Sequence, residues 1–463
     1  MKKLKFVANG IVVGALMTGL LTGCAANADT AGTINTDSSS ANVEESASLT
    51  ESNAPAEEIV IKFYWANIET SQQDVWEKYV FAPFIEKHPE VTIDAQYIPD
   101  LQNTLRVQLA AGAGPDIFYI DGTDIPEYTA AGMLMELDSY REQYKLDDFL
   151  FDYALKTGEY NGHLYGIPHS IEAACMTYNK TLIDELGQVI PKTREEYESL
   201  CNAAQEAGYL PISFGYSGNT IFNGWAWDHY IATYAGVEKE KQLLKGGITF
   251  NDPEIRASFE QLKADWDKGW INDKKSGAIS LDEARALFSN GKAAMNMEGG
   301  WSTLADNLQK NWDFEWGQTE WPSMKNGTPP SAGISIGEYI GINAKSKYAD
   351  LCAEMMCDFY MDEQRVADAV SNGFSTPCRE IDPNLYPEDM DPGIKQALEY
   401  QNELLGGENL SYHAFSFWPS KTLNYLNDNL DKLFYDQISM DDFLNQAQEK
   451  IETDFDNGYL FKG

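Results

Sequence analysis

Strand and helix patterns alternate where the folded part of the chain begins, and this alternation restricts the fold more than any other feature. Apolar residues occupy every second position in "IVIKFYW" and in "VTIDAQYI", as in β-strands, and a third apolar run reads "PDIFYI". Helical spacing fills the two intervals, with Val75 and Phe84 in the first and Leu101, Leu105 and Leu109 in the second. This βαβαβ order predicts a parallel sheet covered by helices.

The amino terminus carries the pattern of an export signal. A basic head precedes an apolar run from Phe6 to Leu21, which is too short and wrongly flanked to span a membrane. The following "LTGC" resembles the lipobox of bacterial lipoproteins, in which a lipid is attached to the cysteine. We therefore expect a signal peptide over 1–23 and a lipid on Cys24 that holds the protein on the outer face of the cell membrane. An ordinary signal peptide with a chance cysteine is the alternative.

The next segment has little to bury. Residues 25–58 contain no Lys, no Arg and no aromatic residue, which predicts a flexible acidic linker over 24–57. The whole chain has 72 acidic and 34 basic residues, a net charge of −38. Nucleic acid is therefore excluded as a partner, and we read the acidity as a solubility trait of an exposed protein. The remaining 400 or so residues are long for one core, so two lobes are expected.

Cysteine and histidine usage gives no metal or redox site. Apart from Cys24 there are five cysteines without CxxC spacing: Cys175, Cys201, Cys352, Cys357 and Cys378. Buried free thiols are expected, with one disulfide as the alternative. The run "DFDNGY" around Asp454 lacks the ligands of a calcium loop. We expect no metal and no cofactor.

Several ordered segments between residues 58 and 460 resemble the extracytoplasmic solute-binding proteins of ABC importers, in the oligosaccharide-binding branch that includes the maltose-binding proteins. They read "LRVQLAAGAGPDIFYI", "NGHLYGIPHSIEAACMTYNK", "PKTREEYESL", "FSNGKAAMNMEGGW", "GINAKSKYADLCAEMMCDFY" and "FSTPCRE". Arg194 departs from the pattern, because the family usually has Trp there.

The resemblance implies an α/β, two-lobed periplasmic-binding-protein-like fold, in which each lobe is a β-sheet covered by helices. Three crossings near 169–172, 334–337 and 374–378 would act as hinges between the lobes. Lobe 1 would contain 58–170 and 336–376, and lobe 2 would contain 171–335 and 377–463.

Candidate ligand-binding residues follow from the predicted strand order and from the family resemblance. Ligands of parallel sheets lie beyond the carboxyl ends of the strands, which points to Trp65, Asn67 and Glu69 after the first strand and to Asp121 and Asp124 after the third.

The resemblance also implies contacts from Glu172 and stacking by Trp301, Trp418 and either Trp225 or Trp227, and Glu298 is a further acidic candidate. A sugar site needs carboxylates for hydroxyl groups and indoles for the apolar face of the ring. For each tryptophan the alternative is core packing, and for each acid it is a solvated surface position.

We therefore predict a binding protein without catalytic residues, expected to be a monomer, that captures an oligosaccharide and delivers it to the ABC permease in the membrane. The scarcity of Arg near these loops favours a neutral sugar over a uronate. Thr123-Asp124 stands where maltose-type proteins have Asp-Arg, which argues against maltose itself. A polyamine or peptide ligand is the runner-up. Hydrolases are less favoured: "GISIG" around Ser335 fits an esterase motif, but a strand pattern follows it.

Overall fold

Two β-sheets, each with its own hydrophobic core, organise the chain. The computed structural model describes residues 59–66, 68, 70–217, 223–272 and 279–462. The predicted signal peptide, Cys24 and the linker lie outside the described residues.

Twelve strands are described: β1 Ile59–Ala66, β2 Val91–Ile98, β3 Ile117–Ile120, β4 Glu159–Tyr160, β5 His163–Leu164, β6 Ile167–Ala174, β7 Met176–Asn179, β8 Leu210–Ser213, β9 Ala293–Met297, β10 Trp316–Thr319, β11 Ala332–Ile342 and β12 Leu410–Tyr412. The larger sheet has the order β12-β11-β3-β1-β2, with β6 also paired to β11, and the smaller has the order β10-β7-β9-β8.

The α-helices are α1 Thr70–Trp76, α2 Ala82–Lys87, α3 Leu101–Ala110, α4 Ile125–Ala130, α5 Asp138–Tyr144, α6 Asp152–Thr157, α7 Lys180–Glu185, α8 Arg194–Glu206, α9 Gly224–Tyr230, α10 Val237–Leu244, α11 Pro253–Asp267, α12 Leu281–Ser289, α13 Ala349–Met361, α14 Glu363–Val370, α15 Pro392–Leu405, α16 Ala414–Phe417, α17 Ser420–Phe434 and α18 Met440–Asp456. Glu77–Phe81 and Ile231–Gly236 are π-helical, and Gly300–Ser302 forms a 3₁₀ turn. In the part of the chain that the structure describes, no helix is both long and apolar enough to cross a membrane.

The predicted βαβαβ unit is confirmed. β1 pairs in parallel with both β2 and β3. Leu101, Leu105 and Leu109 face the core from α3 because they recur at helical spacing. The carboxyl ends of β1 and β3 therefore lie side by side, where the polar loops were expected.

Two separate cores support the two-lobed architecture. One gathers around the larger sheet and includes Phe63, Ile117 and Tyr339. The other gathers around the smaller sheet and includes Trp266 and Trp321. Each sheet thus buries its apolar face against its own set of helices.

Three chain segments lie next to each other between the two cores. β6 and β11 are antiparallel, with Ser335 opposite Glu172 and an irregularity between Ile336 and Glu338. The third segment joins them through the Ile171 N–H, which donates to the Thr376 carbonyl at 2.8 Å. These segments coincide with the three predicted crossings.

Local sequence signals explain several helix boundaries. Ser280 and Glu283 form a capping box at the start of α12, and Ser439 caps α18. Thr193 and Glu196 form a further capping box before α8. The five cysteines of the described region are all buried and unpaired.

Candidate functional site

A cavity of about 340 Å³ lies between the two cores, and the crossing strands form its floor. Its size falls within the usual range for small-molecule sites. Trp65 and Tyr119 line it from the larger sheet, and Trp225 and Trp301 from the side of the smaller sheet. One cavity therefore receives aromatic side chains from both cores.

The aromatic walls are built in pairs. Trp65 and Tyr119 meet edge to face with ring centroids 5.4 Å apart. Trp225 and Trp301 are tilted, with centroids 5.2 Å apart. Gly299 makes room for this second pair, because a Cβ added there would lie 1.9 Å from the Trp301 ring. Flat aromatic surfaces of this kind suit the apolar face of a ring-shaped ligand.

Arg285 connects one aromatic wall to two acids. Its guanidinium donates to Glu298 through Nε at 2.9 Å and through Nη2, and it also donates to Asp306 at 2.7 Å. Glu298 in turn accepts from the Trp301 indole N–H at 3.1 Å. Glu298 is only 3% exposed, so it positions Arg285 and Trp301 from behind the cavity wall.

The floor of the cavity carries two further carboxyls. Glu172 lies on β6 and is 7% exposed, while the Glu338 side chain on β11 is 24% exposed. Burial, followed by the neighbouring Glu338, Asp306 and Glu298 carboxylates, raises the pKa of Glu172 well above its usual value.

The pKa of Glu338 is raised as well. Burial, together with the Asp306 and Asp121 carboxylates, raises the pKa of Glu338 to about 8. Ser170 donates to Glu338 at 3.4 Å. The floor is thus an acidic surface on which ionisation is disfavoured.

His169 lies under this surface but carries no charge to offset it. Its Nε2 is 3.4 Å from Glu338, and its Nδ1 is hydrogen-bonded to the Tyr360 hydroxyl. Burial lowers the pKa of His169 to about 3. The imidazole is therefore neutral at physiological pH.

Four of the predicted residues line this cavity: Trp65, Glu172, Trp225 and Trp301. Asn67 and Glu69 lie outside the described residues. Glu298 is placed behind the wall and reaches the cavity through its partners.

The structure places Asp121 and Asp124 next to the cavity, not in its wall. Asp121 accepts from the Tyr119 hydroxyl and from the Gln102 amide at 2.7 Å, so it orients a lining residue. Burial and the Asp121 carboxylate raise the pKa of Asp124 to about 7. The same loop contacts α17, because the Ser420 hydroxyl donates to the Thr123 carbonyl at 2.7 Å.

The predicted stacking roles of Trp227 and Trp418 do not fit their positions. The two indoles pack edge to face inside the second core with centroids 4.6 Å apart. Trp227 donates to the Asn427 side chain at 3.0 Å and Trp418 to the Tyr412 carbonyl at 3.2 Å. Neither lines the cavity and both are at most 2% exposed, so the core-packing alternative describes them.

Sequence reasoning did not select three charged residues of the site: Arg285, Asp306 and Glu338. Glu338 had a recognisable signal, since it is an acid inside the otherwise apolar strand "GISIGEYIGI". Arg285 and Asp306 meet only in the folded chain, so their local sequence carries no comparable signal.

The esterase motif has the wrong structural context. Residues 333–337 lie within the single strand β11, whereas a nucleophile elbow requires a sharp turn from a strand into a helix. Ser335 faces Glu172 across the β6–β11 pair, and the His413 ring binds the buried Asp228.

The fold and the cavity define a two-lobed α/β binding protein. A family model described as bacterial extracellular solute-binding protein matches residues 68–360, and the chain belongs to that family.

Curated relatives include a maltotriose-binding protein of Pyrococcus abyssi, 26% identical over 238 residues, which are 51% of this chain and 49% of the relative. A multiple sugar-binding protein of Streptococcus mutans is 24% identical over 291 residues, 60% of this chain and 66% of the relative. The chain therefore spans about half to two thirds of these relatives.

Among solved structures, a chitin oligosaccharide binding protein superposes with a TM-score of 0.74 at 22% identity, over 86% of this chain and 99% of that one. At this identity the similarity shows the fold. It confirms the two-lobed architecture expected from the sequence.

Proposed function

We propose that this protein is the substrate-binding component of an ABC importer and captures a carbohydrate in the cavity between its two lobes. The observation that carries the proposal is the cavity itself, where indoles from both cores face carboxyls on the crossing strands. Indoles cover the C–H face of a sugar ring, and carboxyls accept from its hydroxyl groups. The sugar-binding relatives support the same ligand class.

Closure of the lobes supplies the mechanism. Lobe 1 is formed by 58–170 and 336–376, lobe 2 by 171–335 and 377–463, and the crossings act as hinges. A ligand held by Tyr119 on one side and Trp301 on the other favours the closed arrangement, because only that arrangement provides both contacts. The ABC permease recognises the closed protein and receives the ligand unchanged, so no catalytic residue is required.

The last part of the proposal is the attachment of the protein to the cell membrane. A lipid on Cys24 and the acidic linker hold a monomer on the outer face of the cell membrane, within reach of the permease. Metabolic labelling with a radioactive fatty acid tests this part. Label should enter the protein and be lost in Cys24→Ser, and label retained by that variant would refute lipidation at this residue.

A thermal-shift screen with oligosaccharides, uronates, peptides and polyamines tests the ligand class. A ligand at 100 times its Kd stabilises the folded state by about 2.7 kcal/mol, which raises the Tm by a few degrees. Trp301→Ala should abolish the shift, whereas Trp312→Ala is a matched indole deletion outside the cavity and should retain it. Recovery of the sugar uncleaved supports capture without hydrolysis. A shift with peptides or polyamines alone would refute the carbohydrate assignment.

A further inference from the structure

The two carboxyls on the cavity floor lie close to each other on neighbouring strands. Ser170 Oγ is 3.4 Å from Glu338 Oε2, and a Cβ on Gly337 would lie 3.1 Å from Glu172 Oε2 and 2.9 Å from Ser170 Oγ. The absence of a side chain at Gly337 therefore leaves the space in which Glu172 sits. Both acids belong to the crossing strands themselves.

Glu172 has no hydrogen-bond or ion-pair partner within the described ranges of the chain. It is 7% exposed and lines the cavity, yet it forms no hydrogen bond or ion pair with any of the described residues. A buried carboxylate without a partner is costly, and this one is open to the cavity. The position of Glu172 therefore indicates that a ligand supplies the hydrogen-bond donor for its carboxyl group.

Among the described residues that line the cavity, Arg285 is the one Lys or Arg side chain. Arg285 is already shared between Glu298 and Asp306. Neither Glu172 nor Glu338 forms an ion pair with a Lys or Arg in the described parts of the chain, and the neighbouring imidazole is neutral. Without a ligand, both acids therefore tend to stay protonated. A neutral sugar would leave their ionisation disfavoured, whereas a cation bound beside them would favour it.

From this geometry we infer that the carbohydrate carries a free primary amine, as an amino sugar of the glucosamine type does, and that its ammonium group binds between Glu172 and Glu338. This inference rests on the proposed function and narrows its ligand class. An ammonium group has three donors, so it can donate to both the Glu172 and the Glu338 carboxyl group, and both residues line the cavity. The aromatic walls provide the surface for the sugar ring, which a linear polyamine would not use.

This inference differs from the expectation of a neutral sugar. Scarcity of Arg excludes an anionic ligand, but it does not distinguish a neutral ligand from a cationic one. The other titratable groups facing this pair are the acids Asp121, Asp306 and Glu298, the base Arg285, and the neutral groups His169, Tyr119, Tyr360 and Cys378. Every further acid strengthens the attraction for a cation.

Matched ligands test the inference by isothermal titration calorimetry at pH 7. The set is glucosamine, N-acetylglucosamine and glucose, their β-1,4-linked disaccharides, the galactosamine and galactose pair, and spermidine. We expect an amino sugar to bind at least tenfold more tightly than its neutral counterparts. A neutral sugar that binds as tightly as its amine would overturn the inference while leaving carbohydrate capture intact.

Variants locate the amine. Glu172→Gln and Glu338→Gln should each reduce the preference for the amine over the neutral sugar at least fivefold, whereas Glu399→Gln, an exposed acid on α15, should not change it. A preference that survives both cavity variants would refute this placement. Binding of spermidine without any sugar would refute both the inference and the proposed function.

Discussion

Replacing Glu338 by Gln should stabilise the ligand-free protein, although it changes a residue of the binding site. Gln has nearly the same shape and can still accept from Ser170, which lies 3.4 Å away. It removes a carboxylate that is disfavoured by burial and by the acids around it. It also removes the acidic neighbour that contributes most to the raised pKa of Glu172.

The size of the effect follows from proton binding. The carboxyl ionises near pH 4.5 when unfolded and only at a pKa of about 8 in the folded protein, so between these values the folded state of Glu338 binds more protons. The free energy of unfolding therefore falls as the pH rises through this window. The difference corresponds to about 5 kcal/mol at most. Because 24% of the Glu338 side chain contacts solvent, we expect roughly half of this, about 2–3 kcal/mol, at pH 8, and less than about 1 kcal/mol at pH 5.

Thermal unfolding of both proteins between pH 5 and pH 8.5 measures the effect, without ligand and with Glu399→Gln as the exposed control. The Tm advantage of Glu338→Gln should grow as the pH rises, while the control should follow the parent protein. An advantage that is equal at pH 5 and pH 8, or a loss of stability at pH 8, would refute the reasoning.

Four further substitutions separate the site from the core. Gly299→Ala should displace the Trp301 ring, which a Cβ would approach to 1.9 Å, and weaken sugar binding about tenfold in calorimetry with little change in Tm. Trp301→Ala should abolish binding at similar stability, whereas Trp418→Ala should cost about 3–5 kcal/mol of folding stability in urea denaturation because that indole is 2% exposed. Arg194→Leu should cost about 3–5 kcal/mol of folding stability, because it leaves the fully buried Asp265 without its two 2.6 Å hydrogen bonds from Arg194. Sugar affinity should not change. Combining Arg194→Leu with Asp265→Asn should recover most of the lost stability.

Local periodicity was sufficient to predict much of the fold. The βαβαβ unit follows from alternation in β1 and from the spacing of Leu101, Leu105 and Leu109, since each pattern fits one regular element. The capping box at Ser280 marks the start of a helix within the sequence itself. The pairing of β6 with β11 joins residues far apart in the chain, and only the family resemblance indicated it.

A site residue could be predicted from the sequence only where its segment contained few residues of the same type. Trp225 and Trp227 show the limit: they are two positions apart on α9, so they point to different sides of the helix. One indole faces the cavity and the other the core, and the sequence "WAW" does not indicate which. Trp418 was assigned through the resemblance, but its place is determined by packing against Trp227.

The position of the acid pair links ligand recognition to the hinge. If Glu172 and Glu338 lay on the outer loops of one lobe, neutralising them would affect that lobe alone. They lie on β6 and β11, the two strands that pass between the cores and pair with each other there. A cation bound between them favours their ionised forms and contacts both strands at the crossing, so the same event that fills the site stabilises the strands about which the lobes move. Replacing both acids with Gln should therefore give a more stable protein whose closure responds less to its ligand.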